Sequence, residues 1–67
     1  MLTVGDTVKY VGPEGFYMNG LWLKPGDTGV VTSEGQPTYH ADRNLTVKLF
    51  RDASIEITLP AGFWWKI

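Results

Sequence analysis

Hydrophobic and polar residues alternate with a period of two in several short stretches of this chain. No stretch carries the 3.6-residue periodicity of an amphipathic helix behind a capping residue. The clearest alternation is Leu45-Thr46-Val47-Lys48-Leu49, which turns its aliphatic side chains to one face and Thr46 and Lys48 to the other. After Arg51-Asp52-Ala53-Ser54 the run Ile55-Glu56-Ile57-Thr58-Leu59 alternates in the same way, so the two segments predict an antiparallel hairpin. A first strand is expected over 6–11, with Val8 and Tyr10 on one face, stopped by Gly12-Pro13-Glu14-Gly15. Another is expected over 28–33, where Gly29 marks a close backbone approach or a bulge. The end of the chain predicts a single helical turn at Pro60-Ala61-Gly62 and a last strand over 63–67. There Phe63, Trp65 and Ile67 fall on one side and Trp64 and Lys66 on the other, with Trp65 expected inside and Trp64 outside.

A repeated phrase fixes where two of these strands begin. Val4-Gly5-Asp6-Thr7-Val8 and Pro25-Gly26-Asp27-Thr28-Gly29-Val30 each lead into a β-branched run. Glycine tolerates positive φ, and the aspartate side chain is expected to bond backbone amides two residues on, so the pair suits a tight turn opening a strand. Together the elements predict an all-β fold: a single five-stranded barrel over residues 1–67, with a long first loop and a short helical turn before the last strand.

With 67 residues there is room for one small core and no second domain. The absence of cysteine removes disulfides and thiolate metal sites, which favours a reducing, cytoplasmic setting. The N-terminus has no signal-peptide pattern and no run reaches membrane-span length, so a soluble, unprocessed chain with no membrane partner is expected. Six basic and seven acidic residues leave a net charge of −1, which disfavours phosphate-backbone binding as the main task. The nine aromatic residues exceed what so small a core hides, and surface Trp and Tyr commonly anchor interfaces.

The succession of five short strands, and the opening Gly5-Asp6-Thr7-Val8-Lys9-Tyr10-Val11-Gly12-Pro13 followed by Gly26-Asp27-Thr28-Gly29-Val30-Val31, resembles an SH3-like barrel of the KOW type. The layout is also similar to the small SH3-like subunits of photosynthetic and ferredoxin-linked complexes. Leu59-Pro60-Ala61-Gly62-Phe63-Trp64 resembles the Pro-x-x-Tyr step before the last strand of true SH3 domains, which implies that Pro60 and Phe63 line one side of a peptide groove. The Ala-Leu-Tyr-Asp-Tyr segment and the Trp-Trp pair of those domains are absent, which disfavours proline-rich recognition. Ile55-Glu56-Ile57-Thr58 stands where the plasmid-borne dihydrofolate reductases, tetrameric SH3-like barrels, carry Val-Gln-Ile-Tyr. In that comparison Glu56 brings an acidic group from each subunit to a pore for anionic ligands, which is electrostatically adverse.

Candidate site residues follow from the aromatic surplus. The loop 12–24 holds Phe16, Tyr17, Met18, Leu21 and Trp22 between glycines. These either plug the open end of the core as an irregular hairpin or form an exposed patch, and the two roles can be divided among them. Phe63 and Trp64 join Phe16, Tyr17 and Trp22 as partner-binding candidates, with Tyr39 in the polar loop 34–44 as a residue able to clasp a partner. His40 beside Asp42 lacks a recognisable nucleophile, and one histidine makes a poor metal site, so no catalytic, cofactor or metal residue is assigned. The expectation is a small non-enzymatic binding module that docks on a larger protein, as an accessory subunit or as a phage- or plasmid-type binder of a bacterial host protein. Two alternatives stand beside it. One is a KOW-like domain associated with nucleic acid or ribonucleoprotein, using Lys9, Lys48, Arg51 and Lys66. The other is an oligomeric SH3-like enzyme or enzyme subunit, and a homo-oligomer also fits the aromatic surplus.

Overall fold

The two Gly-Asp phrases close the same turn twice. In the computed structural model, which describes residues 2–18, 20–37, 39, 43–52 and 54–67, the Asp6 amide donates to the Thr3 carbonyl (3.1 Å) and the Thr3 amide to Asp6 Oδ2 (2.9 Å). The second turn repeats both bonds between Asp27 and Lys24, each at 3.1 Å. Gly5 and Gly26, at φ of 95° and 100°, hold the position that requires a left-handed backbone. Each aspartate therefore caps the residue three before it rather than one two ahead.

From these turns the chain runs through β1 (Thr7–Tyr10), β2 (Phe16–Met18), β3 (Leu21–Leu23), β4 (Thr28–Gly35), β5 (Asn44–Leu49) and β6 (Glu56–Pro60). A 3₁₀ turn (Ala61–Phe63) and β7 (Trp64–Lys66) follow. The fold is all-β, as expected, but the described residues form seven strands instead of five, and no closed barrel is found among them. Five strands form one antiparallel sheet in the order β6-β5-β4-β1-β7, and β2 and β3 form a separate two-stranded ribbon. The additional strands come from the first loop, whose short hairpin alternation is interrupted by glycines.

The hairpin of β5 and β6 has the expected phase, with Leu45 opposite Leu59 and Val47 opposite Ile57, all buried. Gly29 marks a close approach: a Cβ there would lie 2.5 Å from the Lys48 carbonyl oxygen and 2.7 Å from a Val47 methyl. The register shift lies further along, between Val31 and Ser33. Thr32, the extra residue, turns its hydroxyl to Glu56 Oε2 (2.8 Å) and the Thr46 carbonyl (3.3 Å).

Val8, Tyr10, Leu23, Val31, Leu45, Val47, Leu49, Ile57, Leu59 and Trp64 form the core. The last strand enters it in the opposite phase from that expected: Trp64 is 3% exposed and Trp65 is 65% exposed. Its register against β1 explains this, because directly opposed residues share a face and Trp64 lies opposite the buried Tyr10, while Trp65 lies opposite the exposed Lys9. Phe63 is taken into the 3₁₀ turn and does not set the strand phase. The indole N–H of Trp64 is buried with no hydrogen-bond partner among the described residues.

Candidate functional site

The ribbon divides the first-loop aromatics between two faces. Phe16 pairs with Leu23, Tyr17 with Trp22 and Met18 with Leu21. Alternation along three-residue strands then turns Phe16, Met18, Leu21 and Leu23 toward the core and leaves Tyr17 (56% exposed) and Trp22 (63%) outside. These two rings meet edge to face, with centroids 4.8 Å apart and planes at 63°. Such a pair contributes about 0.5–1.5 kcal/mol beyond the area it covers, which holds each ring in place against the other. The signal that identifies the hairpin is the dipeptide Asn19-Gly20 between two apolar triplets, with Gly20 at φ 82°.

Two anchors hold the ribbon against the sheet. On its inner face Phe16 stacks edge to face on Phe63 (6.0 Å, 81°), which in turn packs on Tyr10 (6.2 Å), while Tyr10 meets Trp64 at 5.7 Å. At its C-terminal end Arg51, from the connection after β5, donates both to the Trp22 carbonyl and to Asp27 Oδ2 (2.9 Å). Asp27 is buried and its carboxylate also closes the turn after β3, so one side chain fixes the turn, the guanidinium and the backbone that carries Trp22. Arg51 and Asp27 are 24 residues apart in the sequence, and nothing in their spacing joins them.

Of the expected partner-binding residues, the structure therefore brings Tyr17 and Trp22 together on the surface and puts Phe16 and Phe63 half-buried in the joint between ribbon and sheet. Trp64 is corrected: it is a core residue and offers no docking surface. Tyr39, 98% exposed, stands on the loop between β4 and β5. Arg43 secures the base of that loop, reaching Glu34 (2.7 Å) and the Leu2 carbonyl. His40 and Asp42 lie outside the described residues. Trp65, expected inside, is exposed instead.

The titratable groups serve the turns and ion pairs. The Thr3 amide holds the Asp6 carboxyl below its ordinary value, the Arg43 guanidinium does the same for Glu34, and the Ser54 side chain and amide for Asp52. Burial raises the Tyr10 phenol, whose hydroxyl donates to the Pro13 carbonyl (2.8 Å). No cluster of His, Cys, Asp or Glu able to hold a metal occurs among the described residues, and no helix there is long and apolar enough to cross a membrane. Comparison with family models, with curated proteins and with solved structures returns no match to this chain.

Proposed function

We propose that this chain is a small, non-enzymatic binding module of SH3-like plan that docks on a larger protein through the paired rings of Tyr17 and Trp22. The observation that carries the reading is the outward edge-to-face pair, 4.8 Å between centroids, on a ribbon clamped at Trp22 by Arg51 and Asp27. Tryptophan and tyrosine dominate interface hot spots because each buries a large area while fixing few rotatable bonds. A pre-ordered pair loses still less entropy on binding. The sheet order β6-β5-β4-β1-β7, with the separate ribbon formed by the chain segment that connects β1 to β4, supports the SH3-like plan. The module belongs to the cytoplasm, as an accessory subunit of an assembly or as a phage- or plasmid-type protein that captures a bacterial host protein.

Affinity capture from nuclease-treated bacterial lysate tests this. The wild-type chain is compared with a Tyr17→Ala/Trp22→Ala variant whose circular dichroism matches it. A protein retained by wild type and released by the variant is the expected result. Equal retention by both chains would overturn the assignment.

A further inference from the structure

A second exposed surface lies on the outer face of the five-stranded sheet, apart from the ribbon pair. Register places Trp65 opposite Lys9 and Lys9 opposite Thr28, and the Phe50 amide donates to the Thr28 carbonyl (3.0 Å), continuing the ladder by one residue. Trp65 and Phe50, 65% and 58% exposed, thus stand at the two ends of one cross-strand row with Lys9 between them. At about 4.8 Å per strand the row is about 14 Å long. In the adjoining row Val30 lies opposite Lys48.

The charges on this face are of one kind where the aromatics are. Asp6, Asp27 and Glu34 are engaged by Lys66, Arg51 and Arg43 respectively, and Asp52 by Ser54. Lys9 and Lys48 belong to none of the ion pairs among the described residues. Register sets Glu56 beside Lys48 at the far edge, where Thr32 donates to its carboxylate, and the row from Trp65 to Phe50 contains no acid. The net charge of −1 therefore hides a local surface on which two aromatic rings flank a lysine and a second lysine stands in the next row.

We propose that this face binds single-stranded nucleic acid, with bases stacked on Trp65 and Phe50 and phosphates held by Lys9 and Lys48. Stacking on aromatic side chains suits unpaired bases because every base offers a π-face, and a sheet surface presents such rings at strand spacing. The lysines supply the salt-sensitive part of the affinity. A protein partner offering carboxylates to Lys9 and Lys48 is the competing occupant, and it predicts no saturable oligonucleotide binding.

The test is fluorescence anisotropy of a short fluorescein-labelled oligothymidylate titrated with the full chain. Between about 50 and about 200 mM salt, two phosphate contacts predict a roughly sevenfold loss of affinity, from a log–log slope of about −1.4. Trp65→Ala should weaken binding by about 5- to 150-fold. Lys9→Ala/Lys48→Ala should flatten the salt dependence, and Tyr17→Ala/Trp22→Ala should bind as wild type, which separates this face from the docking ribbon. Circular dichroism checks that each variant is folded, and all five substituted positions are exposed. No saturable anisotropy change at the lower salt, or binding unaltered by Trp65→Ala, would overturn the proposal. So would a wild-type dimer in sedimentation that Trp65→Ala dissociates without any oligonucleotide binding.

Discussion

Adjacent tryptophans in β7 give the sharpest test of the fold, because one residue of register decides which of them the core needs. Trp64 is 3% exposed and packs its ring on Tyr10 at 5.7 Å, whereas Trp65 is 65% exposed beside Lys9. Truncating a large buried aromatic to alanine costs about 3–5 kcal/mol, through lost transfer energy and the cavity left behind. The unpartnered Trp64 indole N–H offsets part of this, since a buried unsatisfied donor costs about 1–3 kcal/mol, so about 3 kcal/mol is expected for Trp64→Ala. A domain of this length has a total stability of only about 3–10 kcal/mol, at about 0.05–0.15 kcal/mol per residue. Trp64→Ala should therefore shift the urea midpoint drastically or leave the chain unfolded at room temperature, while Trp65→Ala stays within about 0.5 kcal/mol of wild type. Urea unfolding followed by far-ultraviolet circular dichroism measures both, and Trp64→Phe, which keeps an aromatic ring and removes the unpartnered donor, should fall between them. Equal losses for the two alanine variants, or a larger loss for Trp65→Ala, would refute the observed phase of the last strand.

Four further outcomes follow from the same geometry. Gly29→Ala should destabilise by about 1–3 kcal/mol in thermal melts, because the added Cβ meets a backbone oxygen that cannot move without breaking the sheet. Asp27→Ala should cost about 2 kcal/mol, the loss of charge-assisted bonds from Arg51 and the Lys24 amide, and speed hydrogen exchange at the Gly15 amide, which donates to Leu23. Glu34→Ala, at an exposed pair, should leave the melting temperature close to that of wild type. Asp6, Glu34 and Asp52 each have a lowered carboxyl pKa, so the unfolded chain binds their protons first. Their stabilisation is present above the ordinary values of 3.8 for aspartate and 4.5 for glutamate and is lost as pH falls below them, a decline that acid titration of the melting temperature would register.

The alternating runs at 45–49 and 55–59 made their hairpin legible, because one residue of slip would have exposed every aliphatic on it. The Gly-Asp turns were legible for a different reason, since few residues other than glycine accept the required φ. The last strand was not legible in the same way. Phe63-Trp64-Trp65 is apolar on both faces, so periodicity cannot choose between them, and the choice is made by pairing with Tyr10 and Val8, far away in sequence. The ribbon strands are three residues long, too short for alternation to stand out, and only Asn19-Gly20 betrays them. Of the candidate site, Tyr17 and Trp22 could be named as aromatic excess, but their separation from Phe16 onto an outer face needed the hairpin register. Arg51 and Asp27, which hold Trp22 in place, meet only through tertiary structure.

Site-specific photo-crosslinking from the ribbon tests the docking claim most directly. A p-benzoylphenylalanine in place of Tyr17 keeps an aromatic ring at the outward position, and the same residue in place of exposed Val4 serves as the control. Irradiation in nuclease-treated bacterial lysate should give a discrete higher-mass adduct from the position-17 probe, abolished by adding Trp22→Ala, and none from the control. No adduct from position 17, or identical adducts from both positions, would contradict the assignment of the Tyr17–Trp22 pair as the docking surface.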